Sequence, residues 1–157
     1  MSIFELMYDA VTVANLPAGG TKYAGYVNGS FANHDAMQAA HPTARVFGID
    51  VLGIAWESAA IIDYEPGDVQ SGKTLTNFTV NRNKFRPNTA VVYSDRDELD
   101  DVETILRGIP HSIWLATLDG TDLTGQHTAA GTLIVATQIK GGIHAKFDVS
   151  NTLASWR

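Results

Sequence analysis

The chain has 157 residues, enough for one domain with a real core, since about 150 residues bury roughly 70% of their unfolded surface. Apolar residues make up 45% and charged residues 18%, a globular and not a disordered composition. A net charge of −6 with no Lys/Arg run argues against a partner of nucleic acid or anionic membrane, and the lack of cysteine excludes disulfides and thiolate zinc sites.

The opening stretch MSIFELMYDAV has no basic segment and no long apolar one, so it does not read as a secretory signal. No apolar run is long enough to span a bilayer. LMYDAV (6–11) reads as a short buried strand, and TKYAGYVNG (21–29) as a second, closed by the Asn28-Gly29 turn signal. NHDAMQAAHP (33–42) reads as a short helix, capped by Asn33 or Asp35 and stopped by Pro42. ARVFGIDVLG (44–53) and AAIIDYE (59–65) are the third and fourth strands. SGKTLTNFTVNRNKF (71–85) predicts a helix opening at Ser71, with Leu75, Phe78 and Phe85 as its apolar positions. TAVVYSD (89–95) is a fifth strand. RDELDDVETILRG (96–108) carries the clearest helix signal: acids in the first turns, Leu99, Val102, Ile105 and Leu106 on one face, and Gly108 as a stop. HSIWLATLD, GTLIVATQI and AKFDVS are the last three strands.

Continuous apolar strands alternating with helices imply an α/β fold with a parallel sheet covered on both faces. A full (β/α)₈ barrel takes about 250 residues, and little room is left for helices after the sixth strand. The expectation is a reduced or irregular TIM-like (β/α) barrel of mostly parallel strands, its late helices shortened or missing, with an open parallel sheet as the alternative. No repeat, linker or low-complexity segment divides residues 1–157, which read as a single domain.

Carboxylates recur where strands end. Residues two apart on a strand share a face, so Asp63 and Glu65 project from one side, above Ile61. Asp9, Asp95, Asp119 and Asp148 close other apolar runs. In a parallel barrel the carboxyl ends of the strands build the site, so acids from several strands would meet at one mouth. Asp95 sits where a helix cap belongs, and Asp119, followed by Gly120, fits a turn as well as a site. Asp9, Asp63, Glu65 and Asp148 lack such local duties. Converging carboxylates suit an oxygen-ligated metal or glycoside hydrolysis, in which one carboxyl is held protonated and another ionised. Tyr8, Tyr26, Tyr64, Tyr93 and Trp114 are candidates for lining a sugar cleft. The histidines at 34, 41, 111, 127 and 144 show no ligand spacing and read as surface or turn residues, and no Gly-x-Ser-x-Gly elbow occurs.

YDAV, YAGYVNG with HDAMQAAHP, IIDYEPGD, IWLATLDGT, IVATQI and KFDVS, in that order, resemble the glycoside hydrolase family 25 lysozymes, and more closely the short family-25-like domains of actinobacteria and their phages. The resemblance implies a muramidase-type barrel that cuts peptidoglycan glycan strands without a cofactor or metal. It implies Glu65 as general acid and Asp63 as its supporting carboxylate. Asp9 and Asp148 match the family's acids of the first and last strands, and Trp114 and Gln138 its aromatic and glutamine. Tyr26, Tyr93 and Asp119 are the further substrate-binding candidates. DAVTV lacks the Ser and the Gln or Asn that follow the first aspartate in the lysozymes. A catalytically inactive wall-glycan-binding or structural phage particle or tail protein on the same fold is therefore the alternative, with phage structural proteins as partners. On either reading the protein is cytoplasmic until released or carried on a particle to the cell wall.

Overall fold

The structure is a computed structural model and describes residues 3–68, 71–142 and 145–157. Eight strands close into a barrel in chain order: β1 (Phe4–Asp9), β2 (Lys22–Tyr26), β3 (Arg45–Asp50), β4 (Ile61–Asp63), β5 (Val91–Asp95), β6 (Ser112–Ala116), β7 (Ile134–Lys140) and β8 (Asp148–Leu153). Among the described residues three α-helices cover it: α1 (His34–Ala40) after β2, α2 (Gly72–Phe85) after β4 and α3 (Leu99–Ile105) after β5. The expected reduced barrel is thus the fold, and it is closed rather than open. Strands β1 to β7 run parallel, while β8 is antiparallel to both neighbours, β7 and β1. Loop length explains the reversal. A parallel return takes a crossover of about a dozen residues or more, and only residues 141–147 separate β7 from β8.

Local chemistry sets the element ends. Ser71 caps α2 by accepting the Thr74 N–H at 3.4 Å. Asp95 accepts the Glu98 N–H at 3.0 Å and so organises the turn before α3, which is why the helix begins at Leu99 and not at residue 96. Asn33 precedes α1 without capping it through its side chain. Its carboxamide instead accepts the Tyr26 N–H at 2.9 Å and donates to the carbonyls of Ala10 and Val11, tying the loops after β1 and β2 together.

Strand alternation sorts the core into an inside and an outside. Met7, Ala24, Ile49, Ile61, Val91 and Trp114 fill the barrel. Ile62, Val92, Ile113 and Leu115 face outward onto Leu75 and Phe78 of α2 and Val102 of α3. Tyr8 and Tyr64 belong to these outer layers, so neither lines the mouth. On α2 the buried face is Leu75, Phe78, Thr79 and Arg82, the spacing of one helical stripe. Phe85, expected as an apolar position, lies at the edge of that stripe but is the last residue of α2, and it is exposed. His111, expected at the surface, has a side chain only 5% exposed, with Nε2 3.7 Å from Glu103. His41 stacks on Tyr23 with ring centroids 4.0 Å apart. His144 lies outside the described residues.

Gly48 lets the β3–β4 connection lie flat on the barrel. A Cβ there would meet the Ser58 carbonyl oxygen at 2.7 Å and the Ala59 Cα at 3.1 Å, both backbone. Gly48→Ala is expected to cost about 1–3 kcal/mol as overpacking, read as a fall in melting temperature of about 2–4 °C per kcal/mol. An unchanged melt would mean that this loop does not seat on β3 as described.

Candidate active site

Four carboxylates meet at the carboxyl-end mouth of the barrel. Asp9 is the last residue of β1 and Asp63 the last of β4, each only 4% exposed. Glu65 follows two residues on, on the same inward face, half-buried in the bend that Pro66-Gly67 begins. Asp148 is the first residue of β8, not the last of a strand. Because β8 runs backwards, its first residue lies at the same mouth, and its register partner is Asp9. Together with Tyr26, Tyr93, Trp114 and Gln138 these acids line a cavity of about 210 Å³.

The floor is a fixed polar network. Tyr93 and Trp114 are register neighbours on β5 and β6 and meet edge to face at 4.8 Å. The Tyr93 hydroxyl donates to Gln138 Oε1 at 2.8 Å, and Trp114 Nε1 donates to Ser150 Oγ at 3.0 Å. Trp114 is 1% exposed, so it supports the acids from below and offers no face for a sugar. Asp148 accepts the Gly142 N–H at 2.8 Å. Gly141 packs so closely on the Asp148 carboxylate that a Cβ would collide with it, and its positive φ of 136° also favours glycine.

Burial and mutual repulsion hold these acids above their usual range. Burial is the largest cause for each. For Asp9 the Asp148 charge and a shared hydrogen bond with it come next, then Glu65. For Asp63 the charges of Glu65, Asp68 and Asp9 add to burial. The Glu65 carboxyl is pushed up to about 7, by burial and then by Asp68, Asp95 and Asp148, against a lowering hydrogen bond from Asp63. Asp148 is raised by burial, opposed by the Gly142 N–H, Asp9 and the Gln138 side chain. The same negative field, after burial, raises the Tyr26 and Tyr93 hydroxyls, which stay protonated. Within each of the pairs Asp9–Asp148 and Asp63–Glu65, ionisation of one carboxyl opposes ionisation of the other.

Asp119 is not brought to the cavity. β6 ends at Ala116, and Leu118 turns the chain with a positive φ of 57°, so Leu118 rims the cavity in its place. Asp119 stays exposed, accepting the Thr121 N–H at 2.8 Å and pairing with Arg96 at 3.1 Å. The turn reading of that residue is the one the structure supports. Sequence reasoning passed over Asp68, Gly142 and Leu118, which act only through the folded loops. It also passed over Asp50, a strand-end acid after VFGID. Asp50 is fully buried and satisfied by Asn28 Nδ2 and the N–H groups of Leu52, Gly53 and Ala55 at 2.6–2.8 Å. By contrast Asp9 Oδ2 and Asp63 Oδ1 are buried with no protein partner. An acid that builds a loop is saturated; these two keep acceptor capacity.

Among the described residues, Asp63, Glu65 and Asp68 form one group with metal-ligating chemistry, their carboxylate oxygens within 4.8 Å of one another. Oxygen ligands of this kind suit magnesium or calcium, but Asp68 is exposed and the three supply ligands from one side only. Larger clefts lie elsewhere, about 880 Å³ beside α3 and about 500 Å³ at the opposite end of the barrel. Neither gathers carboxyls from several strands, and the chemistry marks the smaller cavity.

No protein-family model and no curated protein matches this chain. Solved structures do. GHIP, a glycosyl hydrolase 25 of Streptococcus pneumoniae described as a virulence factor in host cell invasion, superposes with a TM-score of 0.59 over 98% of this chain and 88% of its own, at 12% identity. An uncharacterized B. stearothermophilus protein gives 0.59 over 98% and 97%, at 11% identity. The muramidase from Acremonium alcalophilum gives 0.55 over 95% and 92%, at 10% identity. The chain shares their barrel fold.

The raised carboxyls tie stability to pH. The folded chain keeps protons that the unfolded chain releases in the ordinary carboxylate range. Their stabilisation is complete below that range and is lost as pH rises through the raised values, for Glu65 through about 7. The melting temperature is expected to fall between about pH 5 and about pH 8. Glu65→Gln should flatten that fall. A wild-type melt that rises over this interval would contradict the clustering.

Proposed function

We propose that the protein is a lysozyme-like glycoside hydrolase that cuts the glycan strands of peptidoglycan, with Glu65 as the general acid. The observation that carries this reading is the half-buried Glu65, its carboxyl raised to about 7 beside Asp63. A glycosidase acid must still hold its proton at working pH and have a negative partner to stabilise an oxocarbenium-like transition state. Glu65 meets the first need, and the carboxyls beside it supply the negative charge for the second. Asp9 and Asp148 keep the local potential negative, which favours positive charge developing on the sugar.

A cavity of about 210 Å³ is smaller than the roughly 300–1,000 Å³ of pockets that enclose a whole ligand. It suits the bond to be cut, with the rest of the glycan lying across the rim. Val11, Phe31, Leu52, Ile54 and Leu118 are exposed apolar residues on loops that follow strand carboxyl ends, available to the C–H faces of sugars. A pure binding module would instead present exposed aromatic faces at the site, and Trp114 is buried.

Within this reading the protein acts on the wall as a phage-type lysin, in lysis or in entry, carried there by release or with particle proteins. Glu65→Gln should lower the release of muropeptides from purified walls by roughly 10²–10⁴-fold while the fold is retained. Asp63→Asn should also cost heavily. A wild-type chain that releases no reducing ends from any wall preparation would overturn the proposal and leave the non-catalytic role on this fold.

A further inference from the structure

The opposite end of the barrel carries opposite chemistry. A cleft of about 500 Å³ opens at the amino ends of the parallel strands, and Arg45, Arg82, Arg86 and Arg157 line it. They come from β3, from α2, from the residue after α2 and from the segment after β8. Glu57 is the one carboxylate side chain lining the cleft. Among the described residues, no carboxylate lies within ion-pair distance of any of the four arginines. The neighbouring Lys22, in contrast, is neutralised by Glu5 at 3.1 Å.

Arg82 is the telling member. It is 6% exposed, and its charge meets only neutral acceptors: Thr89 Oγ1 at 2.9 Å from Nε, and the Trp56 and Glu57 carbonyls at 2.9 and 3.4 Å from Nη1. Its second terminal nitrogen has no protein acceptor and is not sealed off. Burying a cation without a counter-charge costs several kcal/mol, and Arg86 one turn on adds like-charge repulsion. Both effects lower the Arg82 pKa, burial first and Arg86 second. The carboxyl-end dipole of α2 accounts for a cation in its last turn, but not for Arg45 and Arg157 from other elements. The guanidinium groups are also braced. Arg82 and Arg86 lie 5.8 and 5.7 Å from the Phe85 ring, and Arg45 lies 5.9 Å from Phe47, itself stacked on Trp156 at 4.3 Å. Three braced arginines with Arg157 beside them, none with a counter-charge, in a chain of net charge −6, make an arrangement that an anion completes.

We propose that this cleft is a second binding site, separate from the acid mouth, which takes a phosphate-bearing ligand. Guanidinium forks bind oxyanions in paired hydrogen bonds, and a tetrahedral phosphate presents enough oxygens to engage several at once where a carboxylate presents two. The cleft has room for one phosphorylated unit with its sugar or polyol, and Trp156 offers that unit a partly exposed ring. The source is a free phosphomonoester or one unit of a phosphodiester-linked chain.

Calorimetric titration of the whole protein at low ionic strength with glycerol phosphate, and with the diester of two glycerols, tests this. Binding of the monoester with no response to the diester identifies the free molecule as the source, and comparable binding of both identifies a chain unit. Arg45→Gln with Arg86→Gln changes exposed side chains only and should weaken binding by roughly 10-fold or more. Arg82→Lys keeps the charge but loses the fork and should weaken it as well. Glu65→Gln should bind as wild type does, which separates this site from the hydrolase reading. No heat with either probe, or affinity unchanged in the folded arginine double variant, overturns the proposal. So does tighter binding of a single-stranded oligonucleotide than of the diester unit.

Discussion

Asp9 and Asp148 stand directly opposite each other where β1 pairs with β8, and the rest of the mouth is organised around that enforced contact. Like charges at facing positions of an antiparallel pair repel. Here the strands cannot slide apart, because β8 is held by β1 on one side and β7 on the other and its pairing closes the barrel. The repulsion, added to burial, instead raises the Asp9 carboxyl, so that it holds its proton more tightly than a free acid does. Slipping β8 by one residue would turn Asp148 outward and bring Val149 inside. Closure of the barrel and assembly of the acid cluster are therefore one event.

The second acid pair depends on a different device. β4 contributes only three ladder residues, yet its alternation continues beyond the last of them: Ile61 in, Ile62 out, Asp63 in, Tyr64 out, Glu65 in. The Tyr64 N–H still donates to the Tyr93 carbonyl at 3.0 Å, which holds the chain straight for one more step before the Pro66-Gly67 bend. Glu65 is thus placed by a strand it no longer belongs to, deep enough to be raised and open enough to reach a substrate. Tyr93, Gln138, Trp114 and Ser150 link β5 to β8 beneath it by hydrogen bonds and ring contact, so the floor resists the crowding above.

Charge is also sorted along the barrel axis. The carboxyl ends of the parallel strands carry the acids and the amino ends carry uncompensated arginines. Solved structures at 10–12% identity keep the same barrel, which shows how little of a sequence the architecture requires. Function is carried by side chains placed on that frame. In this chain the placement that matters is of titratable groups: acids that cannot all ionise at one end, cations without partners at the other.

The sequence by itself determined the element order, the α/β class, the missing late helices and the face shared by Asp63 and Glu65. All of these are written in local pattern, caps and the available length: continuous apolar runs for the strands, Ser71 and Gly108 as helix start and stop signals, and no helical stripe after residue 108. It also marked Asp9 and Asp148 as acids without local duties. Only the tertiary structure decided the direction of β8, the seating of Asp148 against Asp9, and the exclusion of Asp119 by the Leu118 turn. It likewise buried His111 and Trp114, and placed Arg82 on the inner stripe of α2 where Phe85 was expected. The absence of a Lys/Arg run suggested no basic patch, yet residues 45, 82, 86 and 157 make one, because barrel closure brings the end of β8 beside the start of β3. The reason is common to these cases. Propensity and pattern act over a few residues, whereas strand direction, pairing partner and the sum of a local field are set by contacts between residues far apart in the chain.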